Sequence, residues 1–230
     1  MPPRSHGPVV VLALYASVCL TIGLRAQGGV HPVSGRQYAS PMGVGGAPWL
    51  DRSEREAEEA PTTALRIIGV PRGAIVADVG AGSGYFALRL ASLVGPTGRV
   101  YATDIQEGML DIIRRKIEAA NIANVTLVLG EPADPKLPPN ALDIVLMVDV
   151  YHELSDPQEV LGHVRRSLKA DGRLVLLEYK GEDPAVPILP LHKMTVAQAK
   201  LEVEHEGFRL KDVNSTLPRQ HVLTFVKSGG

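Results

Sequence analysis

The chain has 230 residues, 45% of them hydrophobic and only 4% aromatic, with a formal net charge of −1. This allows one sizeable core built mainly from Val, Leu, Ile and Ala, and it argues against a broad basic surface that tracks nucleic-acid phosphates. Cys19, the single cysteine, lies in the N-terminal leader, so a mature chain without that leader has no disulfide, no thiolate metal site and no Cys nucleophile.

The leader comes first. "MPPRSHG" is basic, "PVVVLALYASVCLTIGL" runs uncharged from Pro8 to Leu24, and "RAQGG" follows. That order describes a secretory signal over residues 1–26, cut after Ala26. Kept uncleaved, the apolar run is a short membrane anchor. The expectation is therefore an exported protein, periplasmic or membrane-anchored, and a cytoplasmic one if the start is mis-called. Residues 27–48 are rich in Gly, Pro and Ser without periodicity and read as a flexible arm, with His31 and Tyr38 in a solvated tail first and part of a lid second. The domain proper spans 49–230.

The domain opens with a charged helical stretch, with Asp51 or Ser53 as cap and a break at Pro61. Short apolar runs then alternate with helical patterns. Strands are expected at 75–79, 99–103, 125–129, 142–148 and 173–179, and helices at 85–94, 107–120 and 156–169. A helix over 195–206 capped by Thr195 follows, then two strands at 208–213 and 222–226 with no helix between them. Strand–helix alternation predicts a parallel sheet covered on both faces, and the last two strands must pair antiparallel. The fold class is α/β: a Rossmann-like, doubly wound seven-stranded sheet in three layers, with its last strand antiparallel. Ligands bind such sheets at the carboxyl ends of the strands, near the switch point.

The segment "VADVGAGSGYF" places Asp78, Gly80, Gly82, Gly84 and Tyr85 between the first strand and its helix. Gly80 and Gly82 remove Cβ atoms where a ligand comes close, and Gly84 lets the helix start near the sheet. No Lys-Ser/Thr pair follows, which rules out a P-loop. A dinucleotide fingerprint needs its third glycine one residue later, and Asp78 would repel a pyrophosphate. An acid there attracts an ammonium or sulfonium. S-adenosylmethionine carries both and no phosphate.

These residues resemble the first motif of class I S-adenosylmethionine-dependent methyltransferases, closest to the small-molecule, type 11 or ubiquinone-biosynthesis-like branch. The resemblance spans roughly residues 60–227. It implies S-adenosylmethionine as cofactor and a small-molecule methyl acceptor as partner. Asp104, ending "VYATD", resembles the ribose-hydroxyl acceptor, and a carboxylate can take both hydroxyls. Ile105 and Met109 would flank the adenine. In "VLGEPAD", Glu131 or Asp134 would accept from the adenine amino group; the family more often has Asp-Ala there, and the choice stays open. Asp149 resembles the polar residue beside the methionine end. "LKADGRLVLLEY" resembles the family's approach to its fifth strand, with a turn at Asp171-Gly172.

Catalytic candidates cluster in "DVYHEL". His152 is the first choice as general base or acceptor orienter, against a role in holding the following helix. Asp149 and His192 complete the set, with Glu178 and Tyr179 shaping the site and Glu153 facing solvent. His152, Glu153, His192 and Asp149 show no compact ligand spacing, so no metal is expected. No nucleic-acid partner is expected either. Two alternatives stand beside the methyltransferase reading: an NAD-dependent oxidoreductase and a non-catalytic binding module on the same fold.

Overall fold

The computed structural model describes residues 29–229. The leader expected over residues 1–26 lies outside them. Among the described residues, no helix is long and apolar enough to cross a membrane.

Three short helices come first: α1 (Ala47–Leu50), α2 (Arg55–Glu59) and α3 (Pro61–Ile68). Ala60 and Gly69, both left-handed, bracket α3. The sheet and its helices then follow as β1 (Ile75–Val79), α4 (Tyr85–Val94), β2 (Arg99–Asp104), α5 (Glu107–Ala119), β3 (Val125–Leu129) and β4 (Leu142–Val148). The chain continues through α6 (Pro157–Ser167), β5 (Leu168–Tyr179), α7 (Val196–His205), β6 (Phe208–Asn214) and β7 (Gln220–Lys227).

The strands lie in the order β3-β2-β1-β4-β5-β7-β6. Strands β1 to β5 pair in parallel. Strand β7 runs antiparallel between β5 and β6. The expected fold is the observed one. Its strands are apolar on both faces because both faces are covered. Val76, Ile144, Leu146 and Leu177 pack under α3, α4 and α5, beside Leu65, Phe86, Leu90 and Ile113. Ala77, Val145, Met147 and Leu176 pack under α6 and α7, beside Leu161, Val164, Ala199 and Val203. Winding reverses between β1 and β4, so the crevice forms at their carboxyl ends.

Three local expectations change. Neither Asp51 nor Ser53 caps α2; Glu54 holds that position, and the Asp51 carboxylate instead accepts from Ser83 Oγ at 2.9 Å and pairs with Lys116 at 2.6 Å. Strand β5 begins at Leu168, and the expected turn at Asp171-Gly172 is an irregularity inside it, opposite the shift between Leu142 and Ile144. The arm is the largest change. Residues 29–48 pack on the domain, and His31 and Arg36 are buried. Arg36 forks onto both Glu202 oxygens at 3.0 Å. It also donates to the His152 carbonyl at 3.0 Å, which accepts Ala39 N–H at 3.1 Å as well. The sequence conceals this because the partners lie far along the chain.

By contrast, Thr195 caps α7 as expected, with a reciprocal bond between its backbone and Gln198.

Candidate active site

A cleft of about 1310 Å³ opens where the carboxyl ends of β1, β2 and β4 meet the N-terminal arm. A single drug-sized ligand occupies roughly 300–1,000 Å³, so the volume suits a cofactor and an acceptor together.

One end is the glycine loop. Gly80 (φ 69°) and Gly82 (φ 53°) are left-handed and line the cleft. A Cβ on Gly80 would stand 2.6 Å from Val150, and one on Gly82 would stand 2.7 Å from Leu50. The loop is pinned to β2: Gly80 and Ala81 donate to the Thr103 carbonyl, and Gly82 N–H donates to Asp104 at 2.9 Å. The other Asp104 oxygen accepts from Gln106 N–H at 2.9 Å. Each carboxylate oxygen has a second lone pair, so Asp104 keeps acceptor capacity at the strand end. Ile105 and Met109 line the wall beside it.

Four expected cofactor residues do not line the cleft. Asp78 is buried beneath the loop, where burial pushes its carboxyl up to about 7 against the pull of Arg55. Gly84 faces Ile113 and Leu88, and so seats α4 rather than a ligand. The Tyr85 ring stacks on the guanidinium groups of Arg55 and Arg89. Asp134 turns to Lys136 N–H and to His163, while Glu131 lines the cleft with its carboxylate on Lys136.

Asp149 lies between the two ends. It is left-handed at φ 53°, accepts from Gln220 Nε2 at 2.8 Å through Oδ2, and has no hydrogen-bond partner for its buried Oδ1 among the described residues. Burial, then the neighbouring Glu59 and Glu178, push its carboxyl well up.

The far end gathers His152, Glu153 and His192. His152 sits on a short 3-10 turn after β4 and is only 1% exposed. Its Nδ1 lies 2.6 Å from Oε2 of Glu178 on the adjacent strand β5. The other Glu178 oxygen accepts from Tyr151 N–H at 3.0 Å. A carboxylate only accepts, so Nδ1 carries the proton and Nε2 is left as the acceptor. Nε2 lies 3.2 Å from His192 Nδ1. Burial pushes His152 down, but the charge and hydrogen bond of Glu178 outweigh it and the net shift is upward. Burial and then His152 hold His192 down. Glu153 does not face solvent: burial raises it to about 7, and its Oε1 lies 3.5 Å from His192. Sequence spacing gave no sign of this cluster, because His192 arrives from a loop forty residues on. Met42 of the packed arm and Trp49 and Leu50 of α1 also line the cleft and carried no signal.

The comparisons with known proteins agree with this geometry. A family described as a methyltransferase domain matches residues 76–172. A SAM-dependent methyltransferase from Aquifex aeolicus superposes with a TM-score of 0.76 at 27% identity, covering 80% of this chain and 98% of that one. Residues 76–172 carry a methyltransferase domain, on the fold of an S-adenosylmethionine-dependent methyltransferase. It is 33% identical over 114 residues to a demethylmenaquinone methyltransferase of Geobacillus kaustophilus, covering 50% of this chain and 49% of the relative. It is 32% identical over 126 residues to the ubiquinone/menaquinone biosynthesis C-methyltransferase UbiE of Ectopseudomonas mendocina, covering 54% and 48%. The matched segment thus spans about half the length of these curated relatives.

S-adenosylmethionine is the cofactor of class I methyltransferases, and the residues present fit it. Gly80 and Gly82 line the cleft, and a Cβ on either would push Val150 or Leu50, which line it too, toward the space a ligand takes. Asp104 offers a carboxylate for ribose hydroxyls, and the orphaned Asp149 Oδ1 is a buried polar atom left for a ligand to satisfy. The NAD-dependent reading is set aside by the family match.

Proposed function

We propose that this methyltransferase moves a methyl group to a small-molecule acceptor held at the His152 end of the cleft. The carrying observation is the Glu178–His152 pair, 2.6 Å apart and buried, facing the glycine cradle across one cleft. When bound, S-adenosylmethionine supplies an electrophilic methyl on a sulfonium. The chain's task is to hold the acceptor in line and exclude water, which is worth roughly 7–11 kcal/mol in favourable cases. Asp104 and the glycine loop fix the cofactor, with Glu131 rather than Asp134 toward the adenine. Glu178 fixes the His152 ring so that Nε2 accepts an acceptor proton. Asp149 stands beside the methionine end, its carboxyl pushed up by burial. Ile188, Leu189 and Leu191 give the acceptor end an apolar lip, with Leu189 71% exposed. That lip and the names of the curated relatives favour an apolar ring compound of the quinone-precursor kind.

Calorimetry with S-adenosylhomocysteine tests the cofactor half. Wild type should bind and Gly82→Val should not, since its side chain meets Leu50 in a left-handed backbone; equal affinities would refute the loop assignment. An acceptor screen with methyl-labelled cofactor, begun with demethylated quinones and scored by product mass, tests the activity. No labelled product from any acceptor would favour a binding module. For His152→Ala, turnover should fall about 10²–10⁴-fold while cofactor affinity stays near wild type.

We further propose export through residues 1–26, which the apolar leader supports. N-terminal sequencing of protein from fractionated cells should begin at Gln27; a cytoplasmic chain starting at Met1 would end this reading.

A further inference from the structure

We infer that His152, Glu153 and His192 form a binding site for a first-row divalent metal ion at the acceptor end of the cleft. The inference rests on the placement of the acceptor just given and replaces the part of His152 there, from proton acceptor to metal ligand.

The three donor atoms are His152 Nε2, His192 Nδ1 and Glu153 Oε1, all within 4.8 Å of one another. Their separations are 3.2 Å between the two nitrogens, 3.5 Å from His192 to Glu153 and 3.9 Å from His152 to Glu153. A tetrahedral ion with bonds of about 2.0–2.1 Å spaces its ligands about 3.3–3.4 Å apart. The cluster is therefore close to the required spacing without a backbone movement. It is also sheltered: His152 is buried and the other two are partly buried.

The outer contacts point the same way. A ligating histidine commonly donates its other ring N–H to a carboxylate, which fixes the tautomer and strengthens the donor. Glu178 does this for His152 at 2.6 Å. The same fully buried oxygen pair also takes Tyr151 N–H, so the carboxylate is itself held in place. His152 is tied from behind as well, because its carbonyl accepts from Arg36 and Ala39. Two imidazoles and one carboxylate suit zinc, iron or cobalt better than magnesium or calcium, which prefer all-oxygen sites. Three groups that would otherwise compete for protons are satisfied together by one cation.

All three residues line the cleft. The remaining coordination positions face it and take water or an oxygen of the acceptor. With the ion bound, His152 serves as a ligand rather than as a proton acceptor, and the ion supplies the positive charge that holds an oxygen donor.

Cobalt(II) titration of the metal-stripped full chain tests this, with and without S-adenosylhomocysteine. One equivalent should produce the intense visible bands of four- or five-coordinate cobalt. Zinc should displace it, and excess magnesium should not. His192→Ala and Glu153→Gln should each weaken binding by more than tenfold. Glu178→Gln should weaken it by about 10–100-fold through the outer contact. Retained S-adenosylhomocysteine binding shows that each variant is folded. Only the pale spectrum of aqueous cobalt, or unchanged cobalt affinity in folded His192→Ala, overturns the inference. Cofactor binding without cobalt binding sinks the metal site alone. Cobalt binding without cofactor binding sinks the methyltransferase reading alone.

Discussion

Asp78 carries the acid of its motif but does not line the cleft. Its acid suits a cationic cofactor, yet its side chain lies under the glycine loop, not in the cleft. Burial raises its carboxyl to about 7, with Arg55 opposing. A raised carboxyl favours the folded state while protonated. That contribution is complete below the ordinary carboxylate range and is lost as pH rises through about 7. Asp78→Asn, which stays neutral throughout, should therefore gain on wild type in melting temperature more at pH 8 than at pH 5. The difference should correspond to a few kcal/mol, at about 1.4 kcal/mol per pH unit. Equal differences at both pH values would show that the carboxyl titrates normally. Asp104, Gly80 and Gly82 were legible because their meaning is local: a strand end or a left-handed turn. Glu153 was not, because its surroundings come from His192 and from a strand it never touches in sequence.

At the scale of elements, the packed arm meets α7 at Glu202, which takes Arg36 and accepts from Ser34 Oγ. Arg36 and Glu202 are both buried, and His31 lies 3.5 Å from the same carboxylate. Removing one partner strands the other in the interior, which costs about 3–5 kcal/mol, while replacing both with apolar groups is often neutral. In urea unfolding, Arg36→Met should lose stability of that order, and Arg36→Met with Glu202→Met should recover most of it. A loss in the double variant as large as in the single would mean that the arm is held by something else. The strands and helices of the sheet were readable from apolar runs and caps, since each carries its own period. The arm has no period. Its order comes from Glu202, 166 residues away, and from the His152 carbonyl.

At the scale of the molecule, the cleft joins the ends of three strands, the arm and the loop after β5. A ligand spanning it binds only the folded chain. S-adenosylhomocysteine at a hundred times its Kd should add about 2.7 kcal/mol. For a chain of this size, at about 2–4 °C per kcal/mol, melting should rise by roughly 5–11 °C. No shift under saturating ligand would contradict a preformed site. The seven-stranded order was legible because the final two strands lack an intervening helix. That His152 and His192 both border the cleft was legible from the neighbouring strand ends they follow, but their contact was not, since it depends on where the loop after β5 returns.

Strand β7 sits between β5 and β6, and its Gln220 holds Asp149 at 2.8 Å. Chains emerge from the ribosome N-terminal end first. The glycine loop is thus made early, but the aspartate facing it is not positioned until Gln220 has been synthesised. A nascent chain halted before Gln220 carries the cradle without its opposite wall. Completion of the binding site is in this way timed by the emergence of β7 from the exit tunnel.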